Sequence, residues 1–564
     1  MNKQSFTSFC QKKPYQSSIL TGLLLGISFP PFPTEFISLF AFVPFILTLE
    51  SVLFQENISK FKGYLRVFSV SYAGLFIWNL IGCYWLMLTA LSAPNAGEAF
   101  MSFLAGFAAV VCNPVVMSVP ILLYAFVRQQ IKREFAFIAF ILFWLSFEYL
   151  HFNWDLSWSW ITLGHSFSNY IYFIQFIEYT GVLGISLIIL ITNFLIANQL
   201  STPATPQPSL PQPHPSFPQK RESTPHVIAS VAKQSHYIWL TILCFISVWS
   251  GILYIQNTKK EPETTLRVKI IQPNIDPYAK FNEMPPTEQI NILAQLTENQ
   301  HRADLVIFPE TALPGAFSKE EYDFYPALDS LKKITLRDSF EILSGFTEVR
   351  YHKENDKKPA SAAYRNNIWY DICNATILFG KGKAQTYQKR KLVPMVERMP
   401  FLETFTFLRD YNVDIGGGYG SLGMGDSAIC LKMKYKDIKI APLVCYESIF
   451  GEFVTEFVQQ GADILCIVTN DGWWKESSGH IQHAAYARLR AIETRRWIVR
   501  SANTGISMII NEKGEIIQEL GWDKRGILEH NIPILKKQTF YVRYGDYLGR
   551  IALILSGLLF LSNL

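Results

Sequence analysis

The segment IKIAPLVCYES, residues 438–448, passes from apolar, β-branched residues into a cysteine that tyrosine and glutamate follow at once. Such residues fit a pleated, buried surface, so residues 438–445 are predicted to form a buried strand that ends at Cys445. A cysteine at this place is either one more core residue or a nucleophile held where the strand ends. The choice depends on what the rest of the chain places beside it.

The composition divides the 564 residues into two unlike parts. Charged residues make up 17% of the chain and aromatic residues 15%, which is typical of a protein with membrane segments. Residues 1–256 consist largely of long apolar runs, whereas residues 257–540 have the mixed pattern of a water-soluble domain. We therefore expect a membrane domain at 1–256, a soluble domain at 257–543 and a C-terminal membrane helix at 544–564.

Eight apolar runs are long enough to cross a bilayer, and seven of them precede the soluble domain. Pro30, Pro31 and Pro33 interrupt the first run, for which a cleaved signal peptide is the competing interpretation. No small-x-small cleavage site follows this run, so we interpret it as an anchor. The expected spans lie near 16–32, 36–52, 67–92, 99–128, 134–150, 172–198, 237–256 and 544–562.

The distribution of basic residues orients these spans. Lysine and arginine precede the first span and lie in every second loop after it, whereas loops 93–98 and 151–171 contain neither. The positive-inside rule then places both termini in the cytoplasm and the soluble domain outside the membrane. The net charge of +5 follows from such loops, so it does not indicate a nucleic-acid partner.

Residues 201–225 contain eight prolines together with serine, threonine and glutamine. This composition predicts a disordered cytoplasmic linker over 201–236, between the sixth and seventh spans, and we assign it no chemistry. The chain has eight cysteines but no C-x-x-C pair, so no zinc or redox motif is expected. Cys373 and Cys430 both lie in the outer domain, and the sequence leaves open whether they pair.

Short β-branched segments alternate with helical patterns in the outer domain, which predicts an α/β fold with helices covering the sheets. Polar residues follow three predicted strands, where functional groups of such folds gather. Glu310 follows DLVIFP, Cys445 ends IKIAPLVC, and Asn470 with Asp471 follows DILCIVT. A fourth segment, YQKRKLVPMVE at 387–397, carries a basic cluster. Each signal alone is weak, because strand ends often carry solvated polar residues.

The combination of these motifs is more specific than any one of them. A glutamate in FPETALP (308–314), a lysine in YQKRKLVP (387–394) and a cysteine in LVCYES (443–448) resemble, in this order, the catalytic set of the nitrilase, or carbon–nitrogen hydrolase, superfamily. Seven spans before such a domain and one after it resemble the apolipoprotein N-acyltransferase family. The resemblance extends over nearly the whole chain apart from the proline-rich linker.

This resemblance implies a nitrilase-like α-β-β-α sandwich inserted between the seventh and eighth helices of an eight-helix membrane bundle. It implies an enzyme of the bacterial inner membrane, with its catalytic domain in the periplasm, that transfers an acyl chain from a phospholipid to a diacylated apolipoprotein. The family's general base falls on Glu310, its lysine on Lys389 and its nucleophile on Cys445. No cofactor and no metal is expected, and we expect a monomer.

Three further residues match supporting positions of the family. They are Glu397, at the end of the L-V-P segment, and Tyr446 and Glu447, beside the nucleophile. The chain departs from the family pattern at 395–396, where Met-Val replaces a common Phe-Gly, and at Phe281, where tryptophan is frequent. We interpret both departures as changes in loop packing or lipid contact rather than as lost chemistry.

Residues 395–408 are too apolar for an ordinary exposed loop, which predicts a lid or arm that dips into the outer leaflet. A helix packed on the domain is an equally good interpretation of the periodicity. The side chains expected to face lipid are Met395, Met399, Phe401, Leu402 and Phe405.

Other motifs are assigned structural roles or left open. His480 and His483 are spaced for a metal pair, but no third ligand has suitable spacing, so a structural role is favoured. Cys466 lies inside an apolar strand and is interpreted as a core residue. Glu148 and Glu178 lie in or near spans, where a carboxylate is either functional or at an interface, and the sequence does not choose between these roles.

Two other functions compete with acyl transfer between lipids. A membrane-tethered nitrilase-like amidase or hydrolase would give the acyl group to water, yet a soluble amide substrate requires neither eight spans nor an apolar lid. A transporter or receptor with an outer sensor domain would not need Glu310, Lys389 and Cys445 together. It would also favour internally repeated spans, which the sequence lacks.

Overall fold

The computed structural model describes residues 2–54, 59–93, 95–131, 133–201, 225–256, 264–298, 303–407 and 421–563. The proline-rich part of the predicted linker, 202–224, and the last residue of the predicted lid, 408, lie outside these ranges. The α-helices of the membrane part are α1 (Lys3–Lys12), α2 (Pro14–Gly26), α3 (Ser38–Ala41), α4 (Val43–Leu53), α5 (Lys60–Cys83), α6 (Trp85–Leu88), α7 (Ala96–Met117), α8 (Val119–Arg128), α9 (Arg133–His151), α10 (Ile177–Thr180), α11 (Val182–Ser201) and α12 (Pro225–Gln256).

Apolar helices confirm the membrane segments that the composition predicts. Within the described ranges, five helices are long and apolar enough to cross a membrane, and Phe135–His151 and Tyr547–Leu561 are shorter apolar helices. The first predicted span contains α2, which ends at Gly26, before the prolines that interrupt that run. The total of eight spans stays a prediction. The five longer helices are Glu35–Leu53, Lys60–Cys83, Ala96–Arg128, Val182–Ser201 and Tyr237–Gln256.

The predicted end of the linker is wrong. Helix α12 begins at Pro225, well inside the segment 201–236 that was expected to be disordered. Residues 226–236 contain neither proline nor glycine, so nothing in them stops the helix that continues from the apolar span. Proline is tolerated in the first turn of a helix, where its missing N–H has no partner to lose. The linker therefore ends before residue 225.

The strands of the outer domain supply two sheets. They are β1 (Thr265–Gln272), β2 (Leu305–Ile307), β3 (Ala316–Phe317), β4 (Glu341–His352), β5 (Ala363–Arg365), β6 (Ile368–Phe379), β7 (Gln385–Gln388), β8 (Leu431–Lys432), β9 (Lys439–Val444), β10 (Ile464–Thr469), β11 (Ile498–Ala502), β12 (Ser507–Ile510), β13 (Ile516–Leu520) and β14 (Gly526–Pro533). The remaining helices are α13 (Pro277–Asn282), α14 (Pro286–Thr297), α15 (Asp329–Asp338), α16 (Gly451–Gln459), α17 (Ser478–Thr494), α18 (Phe540–Tyr544) and α19 (Tyr547–Leu561).

The two sheets stack to form the predicted α-β-β-α sandwich. One sheet has the order β14-β1-β2-β4-β6-β5, with β3 beside β4 and β7 beside β6, and the other has the order β13-β12-β11-β10-β9-β8. Ser501 of β11 donates through its hydroxyl to the carbonyl oxygens of Ile271 (3.0 Å) and Ile307 (3.3 Å) in the facing sheet. Helices α14 and α15 pack on the first sheet, and α16 and α17 pack on the second. The fold class is thereby confirmed.

The topology brings several strand ends to one place. Strands β9 and β10 are parallel and in register, with Val444 opposite Val468, so Cys445 and Asn470 leave neighbouring strands at the same edge. Strand β2 lies parallel to β1 and β4, and Glu310 follows it after a short turn. Lys389 follows β7 directly. Parallel pairing thus gathers residues that are far apart along the chain.

An ion pair joins the sandwich to the membrane helices. Arg495, a left-handed residue (φ +50°) that ends α17, pairs through its Nε with Glu178 and donates from Nη1 to Gln175 Oε1 at 2.6 Å. Lys537 Nζ lies 3.1 Å from the same glutamate carboxylate. Glu178, whose role the sequence leaves open, therefore belongs to the interface between the two parts of the chain.

The side chain of Gln482 in α17 makes a second connection of this kind. Its Oε1 accepts from Trp160 Nε1 at 2.6 Å and from Trp85 Nε1 at 3.3 Å. Its Nε2 donates to the carbonyl oxygen of Pro30 at 2.9 Å. Because one buried amide bonds three separate membrane-side segments, it fixes where α17 sits on the bundle.

Two other points that the sequence leaves open have structural answers. Glu148 accepts hydrogen bonds through Oε1 from Trp144 Nε1 (3.1 Å) and from the backbone N–H of Leu163 (2.9 Å). This oxygen therefore has a structural role, because it links α9 to the segment at Leu163. Cys373 and Cys430 are both free cysteines rather than a disulfide.

Replacement of Glu178 by alanine should destabilise the protein, because it leaves the Arg495 guanidinium buried without its anion. Breaking a buried pair in this way typically costs about 3–5 kcal/mol. We expect the thermal midpoint of the detergent-solubilised protein to fall clearly. The control is Glu298→Ala, which removes an exposed ion pair with Arg337 and should change stability by at most about 1 kcal/mol. Equal shifts for the two variants would contradict the assigned interface role.

Candidate active site

Cys445 begins a short 3₁₀-helix, Cys445–Ile449, directly after β9. Its φ is +49°, in the left-handed region that a residue with a side chain rarely occupies, so the chain turns sharply at this residue. The hydroxyl of Ser448 donates to the carbonyl oxygen of Cys445 at 2.7 Å and closes the turn. The cysteine therefore stands in a strained turn at the end of a strand rather than in mid-strand like Cys466.

Both carboxylate oxygens of Glu310 are held. Oε1 accepts from Asn374 Nδ2 at 2.7 Å, and Oε2 accepts from the backbone N–H of Asn470 at 3.0 Å. The backbone of Gly345 lies directly against this segment, and a Cβ at that position would be 2.6 Å from Glu310 Cα. Only glycine permits this close approach, so the backbone of β4 packs directly against the turn that carries the glutamate.

Lys389 is fully buried between two carboxylates. Its Nζ lies 2.8 Å from Glu397 Oε1 and 3.3 Å from Glu310 Oε1. Burial alone lowers the pKa of Lys389, but the negative charges of Glu397 and Glu310 outweigh it and raise the pKa above its usual range. The side chain of Asn374 also donates to both of these oxygens. The result is a permanently charged ammonium inside the site.

Glu447 ties the lysine segment to the cysteine segment. Its Oε1 accepts from Tyr387 Oη (2.6 Å) and from the backbone N–H groups of Arg390 (2.7 Å) and Lys391 (3.3 Å). Its Oε2 accepts from the backbone N–H of Val444 at 2.8 Å. Since these donors flank Lys389 on one side and Cys445 on the other, this carboxylate sets the spacing between the two segments.

Tyr446 connects the cysteine turn to the loop that follows α9. Its hydroxyl donates to the carbonyl oxygen of Ser157 at 2.6 Å, and its ring stacks on Trp160 with centroids 6.4 Å apart. The turn that carries the cysteine is therefore supported by the membrane part of the chain as well as by its own sheet.

The segment predicted as a lid has both exposed and buried apolar side chains. Its described residues, up to 407, form turns rather than an α-helix, with left-handed φ values at Met395 (+67°) and Phe401 (+57°), so the packed-helix alternative is wrong. Met395, Phe401 and Phe405 are exposed. Met399 (7% exposed) and Leu402 (1%) are buried, so they do not face lipid. These two side chains point into the domain, where their apolar contacts hold the irregular segment in place.

The electrostatics of the site keep the thiol of Cys445 neutral at rest. Burial raises its pKa well above the usual range, Glu310 raises it further, and the charge of Lys389 only partly opposes them. A neutral thiol is a weak nucleophile, so reaction requires a base beside it. A buried thiol, a carboxylate and a fixed cation within one site are groups that acyl transfer can use.

Sequence reasoning missed two residues that shape the site. Asn374 lies inside β6, where no strand end or motif marks it. Lys280 donates through Nζ to the Glu310 carbonyl oxygen (3.3 Å) and to Thr311 Oγ1 (3.0 Å). Burial lowers the pKa of Lys280 to about 7, against the opposing effect of Glu310. The one signal for Lys280 is its position next to Phe281, where the sequence departs from the family pattern.

A metal ion does not fit the one triad of potential ligands within the described residues. Cys445, Asp471 and His483 place a ligand atom each within 4.8 Å of one another, and His480, the other half of the pair noted in the sequence, is not among them. The guanidinium of Arg500 is already there, with Nη2 2.6 Å from Asp471 Oδ2 and 3.1 Å from His483 Nδ1. A metal cation at this place would meet that positive charge.

The chain is similar to known proteins over most of its length. Two family models match, the apolipoprotein N-acyltransferase N-terminal domain at residues 21–195 and carbon-nitrogen hydrolase at residues 267–536. The apolipoprotein N-acyltransferase of Chlorobaculum tepidum is 30% identical over 97% of this chain and 96% of its own. That of Geobacter metallireducens is 25% identical over 95% and 92%. An amidase from Nesterenkonia sp. covers 51% of this chain and 95% of its own at 16% identity, with a TM-score of 0.35.

Replacement of Glu447 by glutamine should disturb the site, although the two side chains have nearly the same size and shape. An amide has a single acceptor oxygen, so at least one of the backbone N–H groups now bound would face an amide N–H. Such an unsatisfied buried group costs about 1–3 kcal/mol. We expect a lower thermal midpoint and slower alkylation of Cys445 by iodoacetamide. Glu456→Gln, which changes an exposed partner of Arg390, is the control and should leave both nearly unchanged.

The pKa of Lys280 predicts a pH dependence of stability. Above about pH 7 the folded protein holds this amine neutral, whereas an unfolded lysine still binds its proton, so the folding stability due to Lys280 rises with pH. The free-energy difference between wild type and Lys280→Met should change by up to about 1.4 kcal/mol per pH unit above that point. Thermal midpoints of both proteins at about pH 7 and pH 9 measure it. A stability difference between the two proteins that is the same at both pH values would contradict the lowered pKa of Lys280.

Proposed function

This chain belongs to the apolipoprotein N-acyltransferase family, and on that basis we propose that it transfers an acyl chain from a phospholipid, through a thioester on Cys445, to the N-terminal amino group of diacylglyceryl-cysteine in an apolipoprotein. The protein is a membrane acyltransferase that acts on lipid or lipoprotein substrates. The observation that carries the mechanism is the buried cluster of Lys389, Glu310 and Glu397 beside a strained strand-end cysteine.

The first half of the proposed reaction acylates the enzyme. Glu310 takes the proton of the Cys445 thiol as the sulfur attacks the carbonyl carbon of the phospholipid ester. The tetrahedral intermediate carries an oxyanion, which the ammonium of Lys389 and the backbone N–H of Tyr446 stabilise. The C–O bond then breaks, Glu310 returns the proton to the leaving alkoxide, and lysophospholipid departs. The acyl group remains on sulfur as a thioester.

The second half transfers the acyl group to the amine. The α-amino group of diacylglyceryl-cysteine attacks the thioester carbon, and Glu310 accepts the proton that the nitrogen loses. Collapse of the intermediate breaks the C–S bond and forms the amide. The proton passes from Glu310 to the thiolate, which restores neutral Cys445. Ping-pong kinetics follow, because the first product leaves before the second substrate reacts.

The supporting residues hold other groups in place in this scheme and transfer neither a proton nor the acyl chain. Glu397 accepts from Lys389 and from the backbone N–H of Val393, so it aims the ammonium. Glu447 and Tyr446 hold the cysteine turn against the lysine segment and the membrane part. The exposed side chains of the segment 395–407 support a role in shielding the thioester from water.

We further propose that the catalytic domain lies in the periplasm with both termini in the cytoplasm, as the basic loops indicate, and that a monomer suffices. This arrangement would place the thiol on the side where lipoproteins are matured after export. The hydrophobic membrane helices would let the acyl donor reach the site laterally.

The reaction is tested with purified protein and a phospholipid that carries a labelled acyl chain. Wild type should acquire a label that hydroxylamine removes, and Cys445→Ala should acquire none. Glu310→Ala and Lys389→Met should acquire it more slowly, the latter by about 10²–10³-fold, which is typical for loss of one oxyanion donor. Cys466→Ala, which changes the buried cysteine of β10, is the control and should be labelled normally.

The acceptor is tested by adding a diacylated lipopeptide with a free α-amino group to the labelled enzyme. Label should pass to this lipopeptide but not to the same molecule with an acetylated amine. Rapid release of label as free fatty acid, without transfer, would instead assign the chain to the hydrolases.

A further inference from the structure

Three buried side chains beside Cys445 have no step in the proposed reaction. Asp471, His483 and Arg500 are all inaccessible to solvent. His483 Nδ1 lies 2.9 Å from Asp471 Oδ1, and Arg500 Nη2 lies 2.6 Å from Asp471 Oδ2. The hydroxyl of Thr469 donates to Asp471 Oδ1 at 2.8 Å. Such a group of charges is expensive to bury, so its arrangement calls for a physical explanation.

Asp471 is the ionised anchor of this group. Burial alone raises its pKa, but the charges of Arg500 and His483 outweigh that effect and hold the pKa far below its usual range. An ionised carboxylate only accepts hydrogen bonds. His483 Nδ1 therefore lies between this carboxylate, which a guanidinium and a hydroxyl hold in place, and Nη2 of the same guanidinium at 3.1 Å.

The other ring nitrogen of His483 faces the nucleophile's own backbone. Nε2 lies 3.1 Å from the carbonyl oxygen of Cys445 and 3.1 Å from Ser448 Oγ. Ser448 gives its hydroxyl proton to the same carbonyl oxygen, so it offers only lone pairs to the histidine. Every partner of Nε2 is an acceptor, and the nitrogen must therefore carry a proton. A protonated Nε2 cannot take the proton of the thiol.

The ring has little freedom to turn away from this contact. Trp160 and Trp474 pack against it, with ring centroids 5.6 Å and 5.8 Å from the imidazole. The hydrogen bond from Nε2 is thus pre-aligned to the carbonyl of a residue whose φ is +49°. A left-handed non-glycine residue costs about 1–3 kcal/mol and persists only where its surroundings impose it.

We propose that His483 is a positioning residue that holds Cys445 in its left-handed turn by donating from Nε2 to the Cys445 carbonyl oxygen, with Asp471 and Arg500 fixing the imidazole. The side chain of Cys445 leaves the same backbone unit, so this bond sets the direction of the sulfur relative to Glu310 and Lys389. Its effect on turnover rests on the proposed function, whereas its effect on the thiol does not.

Two substitutions of His483 distinguish its hydrogen bond to the Cys445 carbonyl from its hydrogen bond to Asp471. Glutamine at position 483 can place a donor near the Nε2 position and keep the bond to the Cys445 carbonyl. Asparagine reaches only as far as the Nδ1 position, so it keeps the bond to Asp471 and loses the one to Cys445. The matched control is His480→Asn, one turn earlier on α17, where the histidine stacks on Trp522 instead.

The first readout is the alkylation rate of Cys445 by iodoacetamide, followed by mass spectrometry of its peptide, which needs no lipid substrate. We expect His483→Asn to slow it at least about 10-fold and to slow thioester formation about 10²-fold, the scale of a misplacement near 1 Å. The KM for phospholipid should not change, because His483 touches no substrate. His483→Gln and His480→Asn should both stay within about threefold of wild type.

Thermal midpoints accompany each rate, so that loss of folded protein is not mistaken for loss of positioning. Equal thiol reactivity in His483→Gln and His483→Asn at equal folded fraction would overturn the proposal. If His483→Asn does not fold, His483→Gln decides: normal alkylation supports the donor role and slow alkylation overturns it. If the alkylation rates separate as expected but no protein ever forms a thioester, the positioning role stands and the proposed acyl transfer fails.

Discussion

The ammonium of Lys389, buried between Glu310 and Glu397, is the interaction on which the rest of the site depends. An ammonium removed from water costs several kcal/mol unless charged partners and hydrogen bonds compensate for it. Its partner carboxylates come from the turn after β2 and from the loop before residue 398, and Asn374 in β6 donates to both of them. Removal of either carboxylate would weaken the compensation of this buried ammonium, so the cluster holds these segments together at one point.

The nucleophile comes from the other sheet, so its distance from this cluster must be set separately. Glu447 does so with one side chain, since it accepts from backbone N–H groups beside Lys389 and from the N–H of Val444. The turn at Cys445 is strained, and the hydroxyl of Ser448 and the ring of His483 hold its carbonyl oxygen. Hydrogen bonds within and beside the turn thus offset the strain at Cys445, while the bonds of Glu447 connect this turn to the segment of Lys389 in the other sheet.

Helix α17 relates this site to the membrane part of the chain. It carries His483 towards the cysteine turn, Gln482 towards the tryptophans of the membrane loops, and ends at Arg495, which pairs with Glu178. The lid segment is attached to the same region, since the backbone N–H of Phe401 donates to Asp155 Oδ2 at 2.8 Å. These contacts on several faces of α17 connect the cysteine turn to the membrane part of the chain.

The amino-acid sequence by itself determined the division into apolar spans and an α/β domain, and it predicted Glu310, Lys389, Cys445 and Glu447 as site residues, because hydrophobic period, strand ends and motifs are local properties. The tertiary structure alone brought Asn374 and His483 close to these residues, since each makes contacts with residues far away in the chain that no local pattern encodes. It also decided that Met399 and Leu402 face inward and that α12 starts at Pro225. Burial and long-range hydrogen bonds are properties of the packed molecule, and they exist only once the two sheets and the membrane helices have met.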